Sequence, residues 1–541
     1  MKKKIALIPA AGRGSRMMGL TENNPKPMLP YEGKPIIGHT LDLLIKNDIE
    51  EVVIVVGYKK EKLIDYVLNF YKDKISIKFV EQLDLNGLAG AIKVGTDIIQ
   101  DKDNKHLTII LGDIILHDKT VFELDGDFLG YKPVKDYSRW CMVDFKDDKI
   151  VFYDKPSVKP PTDSALMGVY GISDIGALND SVSIVLSREE TIGGEYQFSQ
   201  VFNEYMKITR NEIQLKKILD FFDMGEIEDL TQTRKNITRH FNTIKKTDYG
   251  TIIKSSENSA KTKDEAHWYI SLPQRVKMYT PHLVDINEDG SYELEFIGST
   301  PVQELYIYDL VEKHVWFNFF KRLTQYFIET VKATNKKISK YDLHLVYIDK
   351  TIDRVNKIPN EFKKDEYVTI NNIVYKNPIK HLNKIISKID EEVISDFSAN
   401  RNSAILHGDL FFGNMFYDIA SESLKIIDPR GKFGDRVDNL GDIRYDVAKM
   451  NHSINGYYDF IVNGLYTLYE DSNGYHYSFY EGNQKVVKGL FDEMILKHYN
   501  KDEIDLLTGL LFLTMIPLHE ENKNNQKMQF IQAVKFLNKF L

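Results

Sequence analysis

At 541 residues the chain is too long for one hydrophobic core, and usual domain sizes imply about two to four domains. Hydrophobic residues at 43% and charged residues at 28% fit a soluble globular protein, while a net charge of −8 argues against a general nucleic-acid binder. The single cysteine, Cys141, excludes a disulfide within the chain and a thiolate metal cluster, and fits a reducing cytoplasm.

Lys2–Lys4 resemble the basic start of a signal peptide, but the apolar run Ile5–Ala11 is short and enters a Gly/Arg loop, as a buried first strand would. Ile5–Pro9, Val52–Val56, Ile75–Phe79 and Leu107–Leu111 are rich in Val, Ile and Leu and read as strands. Pro35–Lys46 and Glu61–Tyr71 carry apolar residues at helical spacing between them. The alternation predicts an α/β Rossmann-like domain, a mainly parallel sheet with helices on both faces. Ligands of such sheets bind at the carboxyl ends of the strands, where the Ala10–Arg16 loop lies.

In that loop Gly12 and Gly14 let backbone amides approach triphosphate oxygens without a Cβ in the way, with Ala11 beside them. Arg16, and Lys26 of Pro25–Pro30, can place positive charge on an α-phosphorus and a departing pyrophosphate. These segments resemble the signature of the sugar-phosphate nucleotidyltransferases, the family of glucose-1-phosphate thymidylyltransferase. The resemblance, spread over residues 1–245, implies further roles in order along the chain. Gln82 and the Asn86–Gly90 loop, with Gly87, would read the base, and Asp113 and Asp223 would bind Mg²⁺. Asp154, Lys155, Gly168 and Glu195 would contact the acceptor, Lys155 through its phosphate. Asp154 stands where the family usually has glutamate, and residues 194–198 depart from the acidic pattern of sugar-specific members. Two anions must meet in this reaction, so Mg²⁺ with Arg16, Lys26 and Lys155 would offset their repulsion, and no protein nucleophile is required.

A polar stretch at Asn242–Thr247, after a segment read as a helix, marks a domain change, giving residues 1–242 and 243–541. Lys254 ends a β-branched strand, and Glu265 lies eleven residues beyond it in the helix-like Lys263–Leu272. Such a pair can hold the α- and β-phosphates of ATP. In His407–Asn414 the spacing from Asp409 to Asn414 equals that of a protein-kinase catalytic loop. Asp409 would orient and deprotonate a hydroxyl, Asn414 would bind Mg²⁺, and Asp428 stands where a second metal ligand belongs. These residues resemble the aminoglycoside phosphotransferase and choline kinase family, which implies an α+β bilobal kinase-like domain with a lobe of residues 243–301 and a helical lobe of 302–541. Asp446 resembles the helix aspartate that braces the catalytic loop. The basic run Arg430–Arg436 suits a hydroxylated or acidic acceptor better than choline, and is equally a solvated surface loop. His452 and His519 lack zinc spacing and read as satisfied structural histidines, the aromatics read mostly as core, and Leu506–Leu518 reads as a core helix.

The two resemblances together imply consecutive steps: ATP-dependent phosphorylation of a small hydroxylated metabolite (sugar, polyol or amino alcohol), then coupling of that phosphate to a pyrimidine nucleotide, CTP favoured, as a capsule or surface-polysaccharide precursor. Mg²⁺ is expected at both sites. Partners are small-molecule substrates, with neither nucleic acid nor membrane insertion, and a homo-oligomer stays open. The alternatives are an anomeric sugar kinase with a UTP- or dTTP-using transferase, a choline or ethanolamine kinase–cytidylyltransferase, and a regulatory nucleotide-binding protein.

Overall fold

A computed structural model describes every residue except 1, 15–20, 22, 32, 85–86, 147–148, 189, 193, 195, 225–242, 248, 257–258, 396–401, 437, 481 and 483. The chain divides into two compact units, residues 1–234 and 235–541. The segment read as a helix before Asn242 lies outside the described residues.

The first unit opens with β1 (Lys3–Pro9), α1 (Ile36–Lys46), β2 (Glu51–Val56), α2 (Lys60–Tyr71), β3 (Ser76–Glu81), α3 (Leu88–Asp97) and β4 (Lys105–Ile110). β1 lies between β2 and β4 and runs parallel to both, and β3 extends the sheet parallel to β2. Ile5, Ala6, Leu7 and Ile8 are all fully buried, because helices cover both faces of a parallel sheet and consecutive residues must be apolar. The charge on this edge is matched: buried Glu51 accepts from Lys105 at 3.0 Å and Lys78 at 2.8 Å.

The rest of the sheet corrects the expectation of a mainly parallel arrangement; it is mixed. After β5 (Ile114–Leu116) come β6 (Asp127–Pro133), β7 (Cys141–Lys146), β8 (Lys149–Asp154) and β9 (Ser164–Ile172), with no helix-length crossover between them. Short connections make antiparallel neighbours. β9 accordingly runs antiparallel to β4, β6 and β7. Its register shifts between Leu166 and Tyr170, where it passes from β7 to β4 along one edge. Gly168 makes that bend with φ +71°, and a Cβ there would meet Leu111 Cδ1 at 2.8 Å. Then follow α4 (Ile175–Ser187), α5 (Phe198–Thr209), β10 (Ile213–Lys217) and β11 (Phe221–Asp223), which pairs with β5.

The second unit begins with a four-stranded antiparallel sheet, β12 (Thr243–Lys246), β13 (Thr251–Ser255), β14 (Leu283–Ile286) and β15 (Tyr292–Glu295), in the order β12-β13-β15-β14. α6 (Ser259–Ser271) follows β13. The remainder is mostly helical, with α7 (Lys313–Lys332) and α8 (Lys350–Asn356). Three short strands β16 (Ser403–Ile405), β17 (Met415–Asp418) and β18 (Ser423–Ile426) precede β19 (Leu440–Asp442) and α9 (Ile443–Ile454). α10 (Lys501–Met515) packs between α9 and α11 (Lys523–Leu537), so the apolar run from Leu506 is an interior helix. Among the described residues no helix is long and apolar enough to cross a membrane.

His452 departs from the expected satisfied histidine. It is fully buried, yet neither ring nitrogen has a hydrogen-bond partner. Its ring instead sits between Tyr458 and Phe512, with centroids 4.2 and 4.1 Å away. Burial pushes its pKa well down, so the neutral ring packs as an aromatic. His519 is half satisfied, with Nδ1 3.2 Å from Glu521 and Nε2 unpartnered.

Candidate active sites

In the first unit, β1 delivers Ala11 to the sheet edge, where its carbonyl accepts from Tyr58 N–H at 3.1 Å. Gly12 is exposed, with open space where a Cβ would stand. Gly14 takes φ +68°, and a Cβ there would sit 2.9 Å from Cβ of Lys26. Glycine therefore lets the stem of Lys26 cross the loop. Lys26 starts a short 3-10 turn, is buried, and its ammonium meets Asp113 at 2.7 Å. Asp113 follows β4, and Asp223 ends β11 directly opposite Ile114, with Met224 N–H donating to the Asp113 carbonyl at 3.0 Å. Backbone pairing alone thus brings the two aspartates together across 110 residues of sequence, and both line a cleft of about 190 Å³.

Gly168, Asp154 and Tyr170 line the same cleft. The Asp154 carboxylate accepts from Ser199 in the first turn of α5. Cys141 lies there too; burial and then Asp154 push its thiol pKa well up, which makes it an inert wall. Lys155 is solvent-exposed in a left-handed conformation, φ +40°, and is not among the lining residues. Arg139 lines the cleft and reaches Asp223 at 3.4 Å. Sequence reading missed Arg139 because it precedes β7 outside any motif; the adjoining Trp140 and Cys141 were the only hint. Gln82 is buried after β3 and donates to the Gly87 carbonyl at 3.2 Å, while Gly87, at φ +96°, leads into α3. Arg16 and Glu195 lie outside the described residues.

In the second unit, Lys254 on β13 and Glu265 on α6 are both buried and pair at 2.7 Å. The same ammonium reaches Asp428 at 2.8 Å, and Tyr292 on β15 donates to Glu265 at 2.7 Å. Burial alone would lower the Lys254 pKa; Asp428 and Glu265 outweigh it and hold the pKa above its ordinary value. The His407–Asp409 turn leaves β16, and buried Asp446 on α9 accepts from the backbone N–H groups of His407 and Gly408, both at 2.8 Å. His407 Nδ1 accepts from the Asp409 N–H at 3.2 Å, so Nε2 carries the proton donated to the Ile427 carbonyl at 2.9 Å. Burial pushes the His407 pKa down to about 4, which keeps the ring in that neutral form.

Asn414 donates to the Asp409 carbonyl at 2.9 Å and to its carboxylate at 3.3 Å. Lys449, one turn beyond Tyr445 on α9, meets the other Asp409 oxygen at 2.8 Å. Burial would raise the Asp409 pKa; Lys449, then Arg430, hold it below the usual range, so it is an ionised acceptor. No sequence motif flagged Lys449, whose link to Asp409 exists only once α9 is packed under the turn. Of the basic run Arg430–Arg436, Lys432 pairs with Asp264 at 3.3 Å and Arg436 with Asp438 and Asp342, while Arg430 turns to Tyr445. It is neither a uniform basic wall nor a loop of unpaired surface charge.

Residues 5–240 match the family model described as nucleotidyl transferase, and the first unit carries a nucleotidyltransferase domain. Among similar proteins is the bifunctional protein GlmU of Methanocaldococcus jannaschii, 34% identical over 173 residues, which are 30% of this chain and 39% of that protein. Another is the UTP–glucose-1-phosphate uridylyltransferase AglF of Haloferax volcanii, 37% identical over 112 residues, 21% of this chain and 44% of that one. The D-glycero-alpha-D-manno-heptose 1-phosphate guanylyltransferase of Aneurinibacillus thermoaerophilus is 25% identical over 245 residues, 43% of this chain and 99% of its own length. The chain thus spans about two-fifths of the GlmU and AglF relatives.

Proposed function

We propose that the chain is a bifunctional enzyme: the second unit phosphorylates a small hydroxylated metabolite with ATP, and the first couples that phosphate to a nucleoside monophosphate. The observation that carries this reading is the pair of separate constellations. Asp113, Asp223, Lys26 and Arg139 meet in one unit, and in the other Asn414 bonds to Asp409 while Lys254 of β13 reaches Asp428.

In the second unit the acceptor hydroxyl gives its proton to Asp409 as its oxygen attacks the γ-phosphorus of ATP. The bond from that phosphorus to the β–γ bridging oxygen breaks and ADP departs. Lys254, held by Glu265, would orient the α- and β-phosphates. In the first unit an oxygen of the new phosphate monoester attacks the α-phosphorus of the second nucleotide. The bond to the α–β bridging oxygen breaks and pyrophosphate leaves, with no proton to shuttle. Lys26 and Arg139 bring positive charge to the meeting anions.

Asp113 and Asp223 are hard oxygen donors on opposed backbone positions, each already matched by a cation, which suits Mg²⁺. Asn414 and Asp428 supply the same donor chemistry in the second unit. When bound, the ion supplies charge neutralisation at the phosphates.

The nucleotide is a pyrimidine triphosphate, with CTP favoured, and the product an activated precursor for surface polysaccharide. A second reading, an anomeric sugar kinase with uridylyl transfer, is favoured by the likeness to AglF. Acceptor-dependent ADP release, and pyrophosphate release dependent on the acceptor's phosphate ester, test the proposal. Running CTP and UTP against sugar 1-phosphates and polyol phosphates separates the two readings. Pyrophosphate release without any acceptor-dependent ADP release would end the kinase half.

A further inference from the structure

The Asp409 turn carries more positive charge than its own chemistry uses. Lys350 and Arg354 stand four residues apart on α8, as Tyr445 and Lys449 do on α9, so each pair shares a helix face. Lys350 donates to the Tyr445 hydroxyl at 3.3 Å and lies over its ring, 5.4 Å from the centroid. Arg430 donates to the same hydroxyl at 3.0 Å, and its backbone N–H donates to the His407 carbonyl at 2.8 Å. That fixes the guanidinium beside the catalytic turn. Lys449 completes the group against Asp409.

Among the described residues, Lys350, Arg354 and Arg430 form no ion pair with a carboxylate; Arg354 donates to the Thr514 carbonyl at 3.1 Å. Lys449 and Arg430 thus act on the half-exposed Asp409, while Lys350, Arg354 and Arg430 gather around one phenol, Tyr445. Two titrations carry the mark of this surplus. Burial, with Arg430 and Arg354 nearby, brings the Lys350 pKa down to about 8. Burial would raise the Tyr445 pKa, yet Lys350, Arg430 and Lys449 bring it down to about 7. Like charges gathered with no carboxylate paired to Lys350, Arg354 or Arg430 among the described residues cost stability unless a ligand adds counter-charge.

We infer that the metabolite phosphorylated at Asp409 is itself an anion, its carboxylate or phosphate seated on Lys350, Arg354, Arg430 and the Tyr445 hydroxyl while its free hydroxyl faces Asp409. The inference rests on the kinase reading and names the acceptor class for it. Lys350 and Arg430 converge on the Tyr445 oxygen with Arg354 beside them, a gathering of cations that suits an oxyanion and would repel the quaternary amine of choline.

The test uses the full chain, ATP and Mg²⁺ with acceptors matched except for one group: glycerol against glycerate, and erythritol against erythronate. Transfer to the acid should exceed transfer to its neutral partner by about tenfold or more in kcat/KM, the worth of a charged hydrogen bond. Lys350→Gln and, separately, Arg354→Gln should erase most of that ratio by raising KM for the acid, with kcat changed far less. Equal kcat/KM within each pair, or a preference for the neutral member, overturns the inference and leaves the kinase reading standing. Calorimetric titration with inorganic phosphate gives a readout independent of turnover. The wild type should bind one phosphate more than a folded Lys350→Gln/Arg430→Gln variant, and equal stoichiometry overturns the anion site. If that extra phosphate binds but no acceptor is phosphorylated, the kinase reading fails and the acceptor assignment falls with it.

Discussion

The two sites are built on opposite principles. In the first unit the charged groups stand at a sheet edge and backbone pairing brings them together: the side chain of Asp113 is 34% exposed and that of Asp223 19%, and each meets a cation. In the second unit the groups that shape the site are interior ones; Asp446 and His407 are fully buried and Lys254 nearly so. Hydrogen bonds donated to Asp446 by the His407 and Gly408 N–H groups fix the turn before any substrate arrives. Substitution should therefore act locally at the first site and spread at the second. A cation–carboxylate pair at an open edge can exchange partners with a metal or phosphate. A buried network loses several bonds when one member is removed.

The largest effect should separate the two chemistries. Asp409→Asn is expected to lower acceptor-dependent ADP release by about 10³-fold, within the usual worth of a positioned base, while pyrophosphate release from added phospho-acceptor stays within about twofold of wild type. Asp113→Asn should do the reverse, lowering pyrophosphate release by about 10²-fold or more. Loss of both activities in either folded variant would show that the two regions form one site.

The next effect concerns pH and the buried network. The His407 pKa is about 4 in the folded protein, below its unfolded value, so its contribution is present above about pH 6.5 and lost as pH falls from there through 4. Burial pushes Asp446 the other way, up to about 7; its contribution is present at low pH and lost as pH rises through 7. The two offset each other in the wild type. His407→Gln removes the first, so the stability advantage of wild type over variant, read by denaturant titration, should shrink by about 3 kcal/mol between pH 6.5 and 4. A pH-independent difference would mean that His407 does not titrate as its burial implies.

A smaller effect sharpens the open site. Arg139→Gln should raise KM for the phosphorylated acceptor roughly tenfold, whereas Lys155→Gln should change it by about twofold or less, since the exposed Lys155 does not line the cleft. The opposite ranking would make Lys155 the phosphate ligand that the resemblance implies.

What could be read from sequence follows the same division. The strands at Ile5, Val52, Ile75 and Leu107 were visible because a parallel sheet buried on both faces must be apolar at consecutive positions. The reversal at β9 was not, because apolar runs carry no direction, although the absence of a helix from Asp127 to Ile172 was the available sign. Lys254 and Glu265 could be paired by their strand–helix spacing. Arg139, Lys350 and Lys449 could not, because each reaches its site from an element whose place is fixed only by packing. His452 was misjudged because composition cannot tell a hydrogen-bonded imidazole from one stacked between two rings.

One measurement bears most directly on two consecutive sites in one chain. The full chain is incubated with γ-³²P-labelled ATP, unlabelled CTP and glycerate or erythronate, and any nucleotide conjugate is isolated. The account predicts label in the conjugate, in the phosphate bonded to the acceptor. Either Asp409→Asn or Asp113→Asn should abolish the labelled conjugate, and unlabelled phosphorylated acceptor should restore a conjugate, without label, only in the first variant. An unlabelled conjugate, or a labelled one that survives Asp409→Asn, would contradict it.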